Sequence, residues 1–341
     1  SSRVIFKIPH EIITGRVSAD RLAGQIGTNA GLASIKRAYR FAGKFETKHR
    51  AYGLHLWYHG DILNTTNTHA VLLKIQNMST IALAALEPST AALDYIPNDP
   101  DYASNQAWYL EAIDMERAWS MQRQSTRVIQ IVDSGVHIGS SELAGNIWVN
   151  TGEICGNGID DDNNGFVDDC NGYNFIDDNA DVLGTAYETG VTHGHNVASV
   201  ASAGFDNGVG IAGIGGNAKI MPTVTFGRYG NGLTASNFRE AIVYAKDNGA
   251  HISCNSWHYL DGQTDPSLLE AIKYFLADND TVFVAAAGNE GSSVAQYPAA
   301  YAESVSIASV TTDGVSRAWW SSYGSTVDFA APGSYIALET F

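Results

Sequence analysis

Three short segments carry the residue types that acyl transfer needs. Ile131-Val-Asp-Ser-Gly-Val136 offers a carboxylate at Asp133, His193-Gly-His-Asn-Val-Ala198 offers imidazoles, and Ala286-Ala-Gly-Asn-Glu-Gly291 offers an amide at Asn289. The chemistry requires a base held in one tautomer by a carboxylate, a serine hydroxyl for the base to deprotonate, and donors aimed at the developing oxyanion. Asp133 closes an apolar run and is placed to orient a histidine. Taken singly, Asp-Ser-Gly is also ordinary turn chemistry, and Asn289 is equally an amide capping a turn after a buried strand. The order and separation of the three segments favour the catalytic reading.

A second group is independent of these. Asp160-x-Asp162-x-Asn164-Gly165-Phe166-x-Asp168 sets oxygen ligands at alternating positions around a glycine turn, the arrangement that Ca2+ requires, with Phe166 at the position that supplies a backbone oxygen. Position twelve is Asn171 and no flanking helix pair is evident, so the loop is EF-hand-like only. A solvated acidic turn is the alternative. Cys155 and Cys170 bracket the acidic loop and are expected to pair, while Cys254 sits alone in a strand. Two reduced thiols remain the alternative, because pairing is not fixed by sequence. A disulfide there would stabilise by roughly 3 kcal/mol and favours an exported protein.

These residues need a large scaffold, and 341 residues with 45% apolar composition can bury one. The formal net charge of −16 argues against nucleic acid and anionic membranes as partners and favours retention of cations. No run of about 18 uncharged apolar residues suggests a membrane span. Periodicity is lost between positions 88 and 102, where Pro88, Pro97 and Pro100 act as breakers. Domains are accordingly expected at 1–95 and 96–341. In the first, Arg3 to Ile8 and His69 to Ile75 are predicted as strands, and Asp20 to Gly24 and Ser79 to Glu87 as helices, giving a small α+β unit. In the second, strands are predicted at 127–133, 219–226, 251–257, 281–287 and 304–310, and helices at 193–203, 236–248 and 267–277. Such alternation of nearly continuous apolar strands with helices predicts an α/β fold, a parallel sheet covered on both faces. Sites in such sheets gather at the carboxyl ends of strands, where Asp133 and Asn289 fall.

The three segments together resemble the subtilisin-like serine peptidases, the subtilase or S8 family. The resemblance implies a three-layer catalytic domain preceded by a ferredoxin-like propeptide domain that assists folding and then inhibits. It implies that His193, first in His-Gly-x-x-Val-Ala, is the base. His195 competes, since the family usually has Thr there and His at the next position, where this chain has Asn196. It places Asn289 at the oxyanion and substrate along Gly230, Asn231 and Gly232, between walls of Ser256, Trp257, His258 and Ala286, Ala287, Gly288. The family commonly has Gly at 258, so His258 either narrows the pocket or points away from it. The acidic insertion also resembles that of many secreted subtilases, with Ca2+ as cofactor. The nucleophile of the family lies in a Gly-Thr-Ser motif soon after Ala-Ala-Pro-Gly, here 330–333, so it is expected beyond Phe341. The implied function is a secreted, monomeric, calcium-dependent endopeptidase zymogen acting on polypeptides. A catalytically silent relative that binds peptide or Ca2+ is the alternative.

Overall fold

The computed structural model describes residues 3–13, 18–63, 67–87, 94–183, 193–227 and 234–339. The chain divides into two compact units, 1–91 and 92–341. In the first, the elements follow as β1 (Arg3–Lys7), α1 (Ala19–Ala30), β2 (Ser34–Arg37), α2 (Glu46–Ala51), β3 (Trp57–Asp61), α3 (Thr68–Gln76) and β4 (Leu83–Leu86). The sheet order is β2-β3-β1-β4, antiparallel throughout, which is the split βαβ arrangement. Val4 and Phe6 of β1 face Leu22 and Ile26 of α1 and Val71 and Ile75 of α3 in one core.

Two elements of this unit correct the expectation. His69 to Ile75, predicted as a strand, lies in α3, because Asn67 Oδ1 accepts from the amides of His69 and Ala70 and starts a helix. That helix buries Val71 and Ile75, four positions apart on one face, and leaves Leu73 exposed. Ser79 to Glu87, predicted as a helix, contains β4, since Leu83 to Leu86 pair antiparallel with Lys7 to Val4. Pairing with an available sheet edge overrides the helical preference of Leu and Ala.

The second unit runs α4 (Ala107–Ala112), α5 (Met115–Met121), β5 (Val128–Asp133), β6 (Tyr173–Asn174), α6 (His193–Ser202), β7 (Lys219–Val224), α7 (Ala235–Asp247), β8 (Ile252–Asn255), α8 (Pro266–Phe275), β9 (Val282–Ala286), β10 (Val305–Val310) and β11 (Phe329–Pro332). Its seven strands pair in parallel in the order β11-β10-β9-β8-β5-β7-β6. The five expected central strands are present. Phe238 and Ile242 of α7 and Ile272 and Phe275 of α8 pack with Val132, Phe283 and Ala285 in one core. Ala198 of α6 packs with Ile129, Ile131 and Ile220 in another, so helices cover both faces. Gln130, fully buried in β5, donates to Thr223 Oγ1 and the Ala241 carbonyl and accepts from Ser253 Oγ, tying β7, α7 and β8 to the central strand.

Chain order departs from spatial order at β5, which lies between β7 and β8, and this reversal places the carboxyl ends of β5 and β8 side by side. Cys155 and Cys170 form a disulfide that closes the acidic loop. No helix among the described residues is long and apolar enough to cross a membrane.

Candidate active site

Asp133 is the last residue of β5 and is 1% exposed. His193 opens α6, and its Nδ1 lies 2.9 and 2.8 Å from the two Asp133 carboxylate oxygens. The same carboxylate accepts from the Ser134 amide at 2.7 Å and the Ser134 hydroxyl at 3.1 Å, which orients it. Gly194 is what lets helix and strand end approach: a Cβ there would lie 2.6 Å from the Gly135 carbonyl oxygen and 2.9 Å from Asp133 Cβ. Its amide donates to Ser134 Oγ at 3.2 Å. Among the described residues the His193 ring bonds only Asp133, and 60% of its side chain is exposed. The hydrogen bond to Asp133 holds the His193 pKa above its ordinary value, against the opposing effect of burial and with help from the Asp133 charge. With Nδ1 occupied by the carboxylate, Nε2 is the nitrogen left to exchange a proton.

His195 takes no part in this pair. It is fully buried, with Nε2 3.0 Å from Glu339 Oε2, an oxygen to which Ser140 also donates. Helical geometry separates them, because residues two apart lie on opposite sides of α6.

Asn289 follows Ala286-Ala-Gly288 at the exit of β9, where Gly288 has φ +108°. It is exposed, and its amide makes no hydrogen bond among the described residues. Asn289, Gly288, Ala287, Ala286 and Ser256 share a cavity of about 290 Å³ at the carboxyl ends of β8 and β9. Trp257 departs from the expectation of a cleft residue. Its ring stacks on Phe238 with centroids 3.8 Å apart and donates to Asn255 Oδ1, so only its backbone is left for the cleft. His258 is not a free surface side chain: its Nε2 lies 2.9 Å from Glu290 Oε1. Gly230, Asn231 and Gly232 lie outside the described residues.

In the acidic loop, carboxylate oxygens of Glu153, Asp160 and Asp162 lie within 4.8 Å of one another. Asn164 caps the turn: its amide donates to both Asp160 Oδ1 and Asp162 Oδ1, and its Oδ1 accepts from the Phe166 amide. Asp168 lies outside this converging group, and its two oxygens accept from the amides of Gly156, Asn157 and Gly158. The Phe166 ring packs edge-on against Tyr173, Phe175 and Tyr244 and anchors the loop to the domain. Glu153 was not visible in the sequence pattern because it precedes the alternating run, and only the folded loop brings it back. Three converging carboxylates, one of them buried, fit a hard divalent cation, because mutual repulsion otherwise opposes the arrangement.

A second acidic cluster surrounds Glu142, which is 3% exposed and has no hydrogen-bond partner at either carboxylate oxygen. Burial, aided by the nearby Glu339 and Asp99 charges, pushes its pKa up to about 7. Asp99 is also buried and accepts from the amides of Asp206 and Asn207. Asp206, by contrast, is engaged by the Asn98 amide and the Tyr95 hydroxyl. Nothing in Ser140-Ser-Glu-Leu143 marks Glu142 as a burial site in the sequence.

Residues 124–340 match the peptidase S8 subtilase family, and the chain belongs to that family of serine peptidases. Thermitase of Thermoactinomyces vulgaris is 32% identical over 71% of this chain and 75% of its own length. A thermophilic serine proteinase of Bacillus sp. strain AK1 is 30% identical over 80% of this chain, which spans 60% of that relative. Among solved structures, a protease from Pseudoalteromonas arctica superposes with a TM-score of 0.56 at 26% identity, over 72% of this chain and 74% of that one.

Proposed function

We propose that the protein is a secreted, calcium-dependent serine endopeptidase made as a zymogen, and that Asp133, His193 and Asn289 do its chemistry. The observation that carries the reading is the pairing of a buried carboxylate at the end of β5 with a largely exposed imidazole at the start of α6, on a sheet whose β9 leads into an exposed amide at Asn289. The reading requires a nucleophilic serine, which the family carries in a Gly-Thr-Ser motif. His193 Nε2 takes its proton as the hydroxyl oxygen bonds to the scissile carbonyl carbon. The Asn289 amide donates to the oxyanion that forms. The protonated His193 then gives the proton to the leaving amine as the C–N bond breaks, and water hydrolyses the acyl-enzyme by the same steps. Asp133 stays ionised and stabilises the imidazolium.

Ca2+ would be held by Glu153, Asp160 and Asp162, with Asn164 shaping the turn. When bound, it supplies charge neutralisation and rigidity and no step of the hydrolysis. Folding alone converges these carboxylates, so Ca2+ at 100 times Kd should stabilise by about 2.7 kcal/mol per site and raise the melting temperature. Asp162→Ala should reduce the calcium-dependent rise measured by scanning calorimetry. An unchanged rise would remove this carboxylate from the ligand set. The disulfide supports an oxidising, extracellular destination.

The split βαβ unit at the start is read as a propeptide that templates folding and inhibits the cleft as a monomeric, intramolecular partner. Processing falls between Pro88 and Tyr102. Mass spectrometry of a completed chain carrying the downstream serine should show cleavage in that window, and the His193→Ala form should show none. Equal processing in both forms would overturn self-cleavage. Cleavage in neither, with no turnover of added peptides, would mark a catalytically silent family member.

A further inference from the structure

One buried titratable side chain in the first unit has no part in the chemistry above. His55 lies in the single turn Leu54–Leu56 that leads into β3, and it is 7% exposed. Its Nδ1 is buried without a hydrogen-bond partner. Leu56, the next residue, shares the core with Val4 and Phe6, and its carbonyl accepts from the Ile8 amide at 3.0 Å. The turn is thus fastened to the sheet, and the ring reaches water only if that turn lifts.

The charges around it are mostly of one sign. Arg37 of β2, Arg50 of α2 and His10 after β1 face the ring, and the His10 ring stands edge-on with its centroid 6.5 Å away. Glu46 of α2 is the one acidic group among them, and it is already engaged. Its Oε1 accepts from Arg37 at 3.0 Å and lies 3.5 Å from Arg50 Nε, and its Oε2 accepts from the Ala42 amide at 3.1 Å. The Ala42 bond, with help from Arg37 and Arg50 and against the effect of burial, holds the Glu46 pKa below its ordinary value. Glu46 therefore stays ionised while a histidine titrates, and two guanidinium groups share it. Burial first, then the Arg50 and Arg37 charges and more weakly His10, lower the His55 pKa, and Glu46 offsets part of this.

We propose that His55 makes the first unit acid-sensitive: taking up a proton on this buried ring opens the β2–α2–β3 end of the unit in mild acid, while the second unit stays folded. A charged ring at this place loses its hydration and meets two guanidinium groups, whereas in the opened chain it is solvated. The opened chain binds the proton at about pH 6.5 and the folded unit only below that. Stability is therefore complete above about pH 6.5 and is lost as pH falls below it, by up to about tenfold in the opening equilibrium per pH unit. The Asp133–His193 pair of the second unit has the opposite sign, since there the folded state favours the proton. The inference goes beyond the peptidase reading and does not depend on it. Any role that the first unit plays becomes dependent on pH.

The test is hydrogen exchange of the full chain at about pH 7.5 and about pH 5.5, read by mass spectrometry and corrected for the intrinsic pH dependence of exchange. Protection of amides in β1 and β3 should fall by about five- to tenfold in acid, and that of β5 and β7 by less than about twofold. His55→Gln should abolish the acid loss. His55→Phe, which keeps a buried ring without a titrating nitrogen, should do the same, and it decides the matter if glutamine prevents folding. His69→Gln, a change at an exposed histidine of α3, should leave the acid response as it is. Undiminished protection of the first unit in acid, equal loss in both units, or the same loss in a folded His55 variant would overturn the proposal.

Discussion

Asp133→Asn in the complete protein is expected to lower kcat by about 10⁴-fold with the fold intact. The carboxylate accepts from His193 Nδ1 and from the Ser134 amide, and an asparagine amide can satisfy only part of that pattern. It would let the ring settle in the wrong tautomer and would leave the imidazolium without its counter-charge. The pH profile should move as well. Because the Asp133 bond raises the His193 pKa, the neutral, base-competent ring appears only at higher pH, and activity is lost as pH falls through that raised value. Residual activity of Asp133→Asn should therefore have its acid limb at lower pH. Stability changes with the opposite sign. The pair contributes stability that is fully present below the unfolded histidine value of about 6.5 and declines as pH rises through the folded one. Stopped-flow and steady-state kinetics across pH, with thermal unfolding of both forms, check both halves. A profile that does not shift would mean that the pair does not set the base.

Asn289→Ala is expected to lower kcat by about 10²- to 10³-fold with a much smaller change in KM. The Asn289 amide makes no hydrogen bond among the described residues, so its removal breaks no internal bond, and its exposure makes global destabilisation small. Its contribution arises where charge develops on the carbonyl oxygen, in the transition state more than in the bound ground state, and so it should be read in kcat. A loss confined to KM would instead make Asn289 a ground-state substrate contact.

Much of the architecture was legible in the sequence because its central strands carry nearly continuous buried runs. Ile129 to Asp133 and Ile220 to Val224 are buried at every position, and Val305 to Val310, which alternates between buried and half-buried positions, is apolar or small throughout. The helices α7 and α8 carry capping residues at Thr234 and Asp265 that mark their starts. The same logic failed in the small first unit. A short, largely apolar segment such as His69 to Ile75 suits strand or helix, and only Asn67 capping and the shared face of Val71 and Ile75 decided it.

The three catalytic-type segments and the acidic loop were likewise legible as residue types in order. Which side chain meets which partner was not. His193 and His195 are two positions apart in sequence, yet one faces Asp133 and the other is buried against Glu339, because the turn of α6 and the seat of its first residue at the β5 end separate them. Trp257 went to the core and His258 to Glu290 through packing past the end of β8. Glu153 and Glu142 carry no local signal, and their roles arise from long-range closure that gathers carboxylates from separate turns. Sequence thus determined the chemical inventory and the sheet, since composition and period act locally. Tertiary structure alone decided the pairings, since a hydrogen bond or a ligand set depends on distances that chain order does not contain.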